Sequence, residues 1–533
     1  MNKHTIHFFY NEHTNDFPLY TEAIKFFNHG ESMVRIAVRT LSLNVYRVED
    51  EAMLKFVTDK TAAPYFSNLV WFIGNHILEI DNCVRNDADH NSLNKLKDIV
   101  AGHIDHLHYI NDILGLNITA LNRILSDHLL NRLFIPLYIY SFARNHIPAE
   151  DMRPFVSPVV ALFLLCQVFL IITHVPLVRL LAWIIVAGDM EVFTERGATL
   201  YATSPRRGCR SKPSFMAPPD SLDKLLAKTM RETPEEDDDS DLEEVAASSV
   251  SELTKLPSPF HLPKISSEPA DEDIEDPSLL SITDEEKEQR LAANSSFSLE
   301  NRSSTFLFRR YNIRCSFKDD HRCLICRPFL GALFAALDYT DNDYYQLFSL
   351  CLIYAMQSNA GINRELLESV QIPSQHSPSA SPAYNRLLVE KMIRLATAGC
   401  QYGSRVRLVT LEILIISLKM IVTKEDKSVM LDEHFAELEG AREESTLILR
   451  NFYKSEEIFL DMFEDEWREM NKRPINVEYV MSDASLLLPP TGYILSHLVC
   501  VTFYESLKKQ TVQSLRNSLD RNRLSQEVAL WRG

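Results

Sequence analysis

Apolar residues recur at helical spacing over most of the first two hundred positions. From Tyr65 to Asp81, Phe66, Leu69, Val70, Ile73, Ile77 and Ile80 fall on one stripe, the i, i+3, i+4, i+7 pattern of an amphipathic helix. Ser32 to Tyr46 repeats the pattern with Val34, Ala37, Val38, Leu41 and Val45. Leu129 to Phe142 is apolar on most sides and predicts a helix buried between neighbours. Short successive helices with tight connections predict an α-solenoid of armadillo or HEAT character, although no fixed repeat period emerges. Helical stripes resume over Phe334–Met356, Leu387–Ala396, Val406–Val422 and Glu433–Tyr453. The expected fold is all-α, with solenoid blocks over 1–200 and 327–490, a linker over 203–325 and a tail over 491–533.

Val156 to Ala187 is the most apolar stretch and allows two readings. A membrane span needs about 20 predominantly apolar residues. Here Gln167, His174, Pro176 and Arg179 divide the run into two pieces of helical-hairpin size. An arginine at bilayer depth costs about 2.5–3.5 kcal/mol on insertion scales, and a proline ends or kinks a helix. A buried helix pair is favoured over a membrane-inserted hairpin.

Charge separates the linker from the rest. The 533-residue chain has a formal net charge of -18, and Arg231 to Glu300 alone holds about 5 basic and 21 acidic side chains. Runs such as Pro234–Glu244 and Glu268–Pro277 cannot bury enough apolar area to offset chain entropy, so disorder is predicted there. Ser240, followed by Asp241, Glu243 and Glu244, matches an acidic-directed phosphorylation site, although a solvated spacer explains the same composition. No basic patch with interleaved aromatics stands out, which argues against a nucleic-acid partner. The 14 glycines are few for glycine-loop nucleotide binders or turn-rich β folds. The 9 cysteines are scattered, several in apolar runs (Cys166, Cys351, Cys500), as expected of reduced thiols in the cytosol. Met1 to Tyr10 shows no signal-peptide core.

Candidate chemistry is sparse. No phosphate-binding loop, dinucleotide fingerprint, H-E-x-x-H or G-x-S-x-G occurs, so no catalytic or cofactor-binding residue is assigned and no cofactor is expected. Cys315, His321, Cys323 and Cys326 supply four soft ligands, the number tetrahedral zinc prefers. Their spacing is cramped for a structural site, and a cysteine-bearing linker explains them as well. His103 and His106 share a helix face beside Asp105 and His108, at a spacing compatible with a metal. A histidine-rich helix surface is the plainer reading, given the apolar stripe Leu107, Ile110, Ile113 and Leu114. Glu456 to Glu469 alternates carboxylates with Ile458, Phe459, Met462, Phe463 and Trp467. That reads as an amphipathic helix, packed on the core or docking in a partner's groove.

Longer strings are more specific. The runs His4–Tyr46, Asp59–Val84, His106–Leu114 and Asp127–Ser141, then Arg327–Met356 and Leu438–Gly492, resemble the Ema (endosomal maturation defective) family in the same order around a variable acidic linker. That family is also called C-type lectin domain family sixteen member A. The likeness begins inside the last part of its FPL domain and fades after Gly492, so a form truncated at both ends is expected. The lectin name finds no support in these residues, which lack the disulfides and carboxylate-rich Ca²⁺ site such a fold needs. The resemblance implies a non-enzymatic scaffold of endosomal maturation, vesicle trafficking, autophagosome–lysosome flux and mitophagy, peripheral on the cytosolic face of endosome, lysosome and Golgi membranes. It implies tethering-complex subunits, a Rab-type small GTPase, and a ubiquitin ligase with its deubiquitinase as partners. An unconventional ubiquitin ligase, drawing on Cys315, His321, Cys323 and Cys326, is the alternative. A RING needs eight zinc ligands, and this cluster offers four at best.

Overall fold

The stripe centred on Tyr65–Asp81 folds as part of one long helical stretch. Asp50 opens it, its side chain accepting the Met53 N–H at 2.9 Å, as an N-cap does. Helix α3 (Glu51–Phe56) passes through a π-helical segment, Val57–Ala62, into α4 (Ala63–Asn86). All six stripe residues of α4 are buried. These coordinates are a computed structural model, which describes residues 3–86, 92–144, 153–195, 197, 212–231, 327–338, 342–376, 383–401, 404–424, 427–453 and 475–489.

Before it stand α1 (Pro18–Ile24), with proline at its first position, and α2 (Ser32–Tyr46). After it come α5 (Leu93–Gly115) and α6 (Thr119–Leu129), both packed on α4. The chain then enters a second π-helical segment, Leu130–Ile139, which leads into α7 (Tyr140–Phe142). Pro136 lies within it and removes one N–H from the ladder. Paired tyrosine hydroxyls knit this part of the molecule: Tyr20 to Tyr46 at 2.8 Å and Tyr65 to Tyr109 at 2.9 Å, all four rings buried.

The apolar run at 156–187 forms two helices, α8 (Pro158–Ile171) and α9 (Val175–Ala187). Among the described residues no helix is long and apolar enough to cross a membrane. Helix α8 starts sharply: the buried Asp81 carboxylate accepts the Ser157 N–H at 2.7 Å, and Ser157 caps Val160. Every residue from Val160 to Phe169 is buried, including Gln167, whose amide donates to the Met481 carbonyl at 2.9 Å. A polar residue that interrupts the hydrophobic run in sequence thus finds an acceptor for its amide N–H more than three hundred residues away, while its Oε1 is buried without a partner.

The C-terminal segment contributes α11 (Pro328–Ala335), α12 (Tyr344–Ser358), α13 (Arg364–Glu368), α14 (Arg386–Cys400), α15 (Leu408–Val422), α16 (Asp432–Tyr453) and α17 (Val477–Val480). Two-residue strands, Thr423–Lys424 and Lys427–Ser428, pair antiparallel between α15 and α16. Residues 1–231 and 317–533 form one compact unit, so the segments on either side of the acidic stretch share a core. Helix α8 lies along α12, where Phe163 meets Phe348 edge-on at 5.4 Å and the Cys166 thiol donates to the Phe348 carbonyl at 3.2 Å. Just past α12, the Asn359 amide donates to the Phe169 and Ile172 carbonyls at 2.7 and 2.9 Å, closing the end of α8.

Within the segment read from composition as a disordered linker over 203–325, residues 212–231 are ordered, which revises that boundary. They form a strap ending in α10 (Leu222–Arg231), laid against α4 and the first π-helical segment. Phe215, Leu222 and Leu226 are buried beneath it. Composition averaged over a hundred residues conceals three apolar side chains that have somewhere to go.

Candidate interaction surface

The candidate ligand sets come first. Cys315, His321, Cys323 and Cys326 lie outside the described residues, as does Glu456–Glu469. The histidine set of α5 is split by the helix: His103 and His106 point inward, Asp105 and His108 outward to solvent. Inside, His106 lies 5.3 Å from His76 of α4, ring centroid to centroid, with Phe72 against both. The His106 ring bonds the Gly102 carbonyl through Nδ1. Burial drives the His103 pKa down to about 3 and holds His106 well below its ordinary value, with the nearby Arg39 pushing His106 the same way. His76 is lowered by the same cause. These are neutral core imidazoles, and among the described residues no group of three or more His, Cys, Asp or Glu side chains could hold a metal ion. The reading of a histidine-rich helix surface is corrected for this pair: His103 and His106 are buried on the face of α5 that carries Leu107, Ile110 and Ile113, and His76, far off in sequence, gave no signal at all.

The feature with a chemical consequence is a short segment rich in exposed apolar side chains. Phe8, Phe9, Leu19, Phe26, Met33 and Ile36 are all exposed, Phe8 at 83% and Met33 at 72%. Other exposed large hydrophobics among the described residues are dispersed singly, from Phe155 to Tyr479. The helices create this density by dividing their faces. In α1, Tyr20, Thr21 and Ile24 are buried, leaving Leu19 on the outside. In α2, burial is confined to Val38, Ser42, Val45 and Tyr46; Met33 and Ile36 lie off the apolar stripe of this helix and are open. The stripe read from the sequence therefore gave no signal for them. Arg35 fixes the bend before α2 by donating to the His29 and Gly30 carbonyls at 2.6 and 2.8 Å. Six such side chains within residues 8–36 make this segment the candidate interaction surface among the described residues.

No solved structure matches the chain. Two family descriptions do: the CLEC16A helical domain over residues 91–234 and 281–520, and FPL, described as an uncharacterised conserved protein, over residues 1–46. The exposed face lies in the FPL part, and the helical-domain match continues past Gly492. Protein CLEC16A of Mus musculus is 45% identical over 97% of this chain and 48% of its own length. Protein CLEC16A of Homo sapiens is 44% identical over 97% of this chain and 49% of its own. The Protein CLEC16A homolog of Drosophila melanogaster is 43% identical over 97% and 48%. The chain therefore spans about half the length of these curated relatives. With the helical-domain description matching more than half of its residues and these relatives matching 97% of it, the chain belongs to the CLEC16A (Ema) family.

Proposed function

We propose that this protein is a non-enzymatic scaffold of endosomal maturation, vesicle trafficking and autophagosome–lysosome flux, peripheral on the cytosolic face of endosome, lysosome and Golgi membranes. The observation that carries the reading is identity of 43–45% to CLEC16A proteins over 97% of the chain. A helical body with six exposed large apolar side chains within residues 8–36 supports it, because exposed apolar side chains can recruit partners. The partners proposed are tethering-complex subunits, a Rab-type small GTPase, and a ubiquitin ligase with its deubiquitinase.

The test uses purified chain and purified tethering subunits in titration calorimetry. The wild-type chain is expected to bind, and a Phe8→Ser, Met33→Ser, Ile36→Ser variant to bind at least tenfold more weakly with unchanged helicity. Absence of binding to any subunit by the wild-type chain refutes the scaffold reading. Equal binding by the variant removes the N-terminal face from it.

A further inference from the structure

The strap over 212–231 is seated by complementary chemistry at both ends. At its start, the Ser214 N–H donates to the Asn131 carbonyl at 3.1 Å. In a π-helix a carbonyl pairs with the N–H five residues on; for Asn131 that residue is Pro136, which has none. The strap thus fills an acceptor that the proline left open. Next, the Phe215 ring stacks on Trp71 at 4.7 Å and 26°, directly over Gly74. A Cβ at Gly74 would stand 2.1 Å from Phe215 Cε2, so only glycine leaves room for this anchor.

The helix that follows is held at both termini. In its first turn Asp223 faces Lys25 at 3.5 Å, and near its last turn the Thr229 carbonyl accepts from Lys60 Nζ at 2.9 Å. This is the charge arrangement a helix dipole favours, with an acid at the start and a cation at the end. Between them Leu222 and Leu226, one turn apart, are buried. The hold is nonetheless thin. Most of the strap's other side chains, including Met216 at 66%, are exposed, whereas ten consecutive residues of α8 are buried. A ten-residue helix is also too short to persist in water without its seat.

We propose that this seat is a helix-docking site occupied in cis by the strap. The partner it accepts is an amphipathic helix with an aromatic residue seven positions before a Leu-x-x-x-Leu pair, and an acid in its first turn. Partner and strap exclude one another at Gly74 and Trp71, which makes the strap an autoinhibitory plug. Release of α10 removes Asp223 from Lys25 and leaves it paired with Glu22 at 2.6 Å. The proposal is independent of the trafficking reading.

The probe is a fluorescent peptide spanning residues 212–231, titrated into the full chain. Phe215→Ser with Leu226→Ser, both in the strap and not the seat, is expected to raise peptide affinity at least tenfold over wild type. Adding Gly74→Val is expected to abolish that gain, and a peptide carrying F215A to bind at least tenfold more weakly. Equal peptide affinity for the opened and wild-type chains overturns the proposal, as does indifference to Gly74. Hydrogen exchange on the wild-type chain gives a readout that needs no variant. Excess unlabelled peptide is expected to speed exchange of the chain's own 222–231 amides at least tenfold while α8 stays unchanged; unaltered α10 exchange overturns displacement.

Discussion

Asp343 is wholly buried, and its carboxylate is tolerated because both oxygens are engaged. Arg407 donates to it through Nε and backbone N, each at 2.8 Å, and the Thr410 hydroxyl donates as well. The same guanidinium reaches the Leu486 carbonyl at 2.9 Å and lies 4.7 Å from the Tyr344 ring centre. One side chain therefore ties the starts of α12 and α15 to the turn after α17. Removing one member of such a pair strands a buried charge, which costs about 3–5 kcal/mol. Arg407→Met is expected to lose that much in urea denaturation, and Asp343→Asn with Arg407→Met to recover part of it. The imidazoles of His103 and His106 are a second residue-scale feature. Their folded pKa values lie below the unfolded value, so the unfolded chain binds more protons as pH falls below about 6.5. Stability is fully present above that pH and is lost on acidification, by about 1.4 kcal/mol for His103 between pH 7.5 and 5.5, with His106 acting in the same direction. His103→Leu is expected to flatten the pH dependence of the denaturation midpoint by one histidine's share.

Helix α8 and its neighbours show how an apolar run without a polar face is accommodated. Gln167 presents an amide within a helix that is otherwise nearly all hydrocarbon, and Met481 supplies its acceptor. Gln167→Leu, despite raising hydropathy, is expected to cost about 1–2 kcal/mol, since the Met481 carbonyl loses its donor. Helix α9 meets the loop before α13 closely: a Cβ at Gly361 would stand 2.5 Å from Val178 Cγ2. Gly361→Ala is expected to destabilise by about 1–3 kcal/mol through overpacking, with Val178→Ala relieving part of it in the double variant. The coupling is measured by a double-mutant cycle on thermal or urea midpoints.

At the scale of the whole molecule, the segments before and after the acidic stretch form one core. If a protease site is inserted near position 280 and cut, the two fragments are expected to co-elute on size-exclusion chromatography and to separate only in denaturant. Elution as two independent helical species contradicts a shared core.

The helices were legible because each is written locally. The α4 stripe and the break between α8 and α9 both act within a few residues of where they appear. The family likeness was legible for the same reason, as it rests on contiguous strings. Tertiary structure alone decided the rest. It turned His103 and His106 into buried neutral rings beside His76, gave the Gln167 amide N–H an acceptor on Met481, and left Met33 and Ile36 uncovered on the side of α2 away from its apolar stripe. It also drew Phe215 out of a polar, acidic-looking stretch and set it over Gly74. Each of these depends on which distant residue arrives opposite, and periodicity specifies that a face is apolar without specifying what covers it.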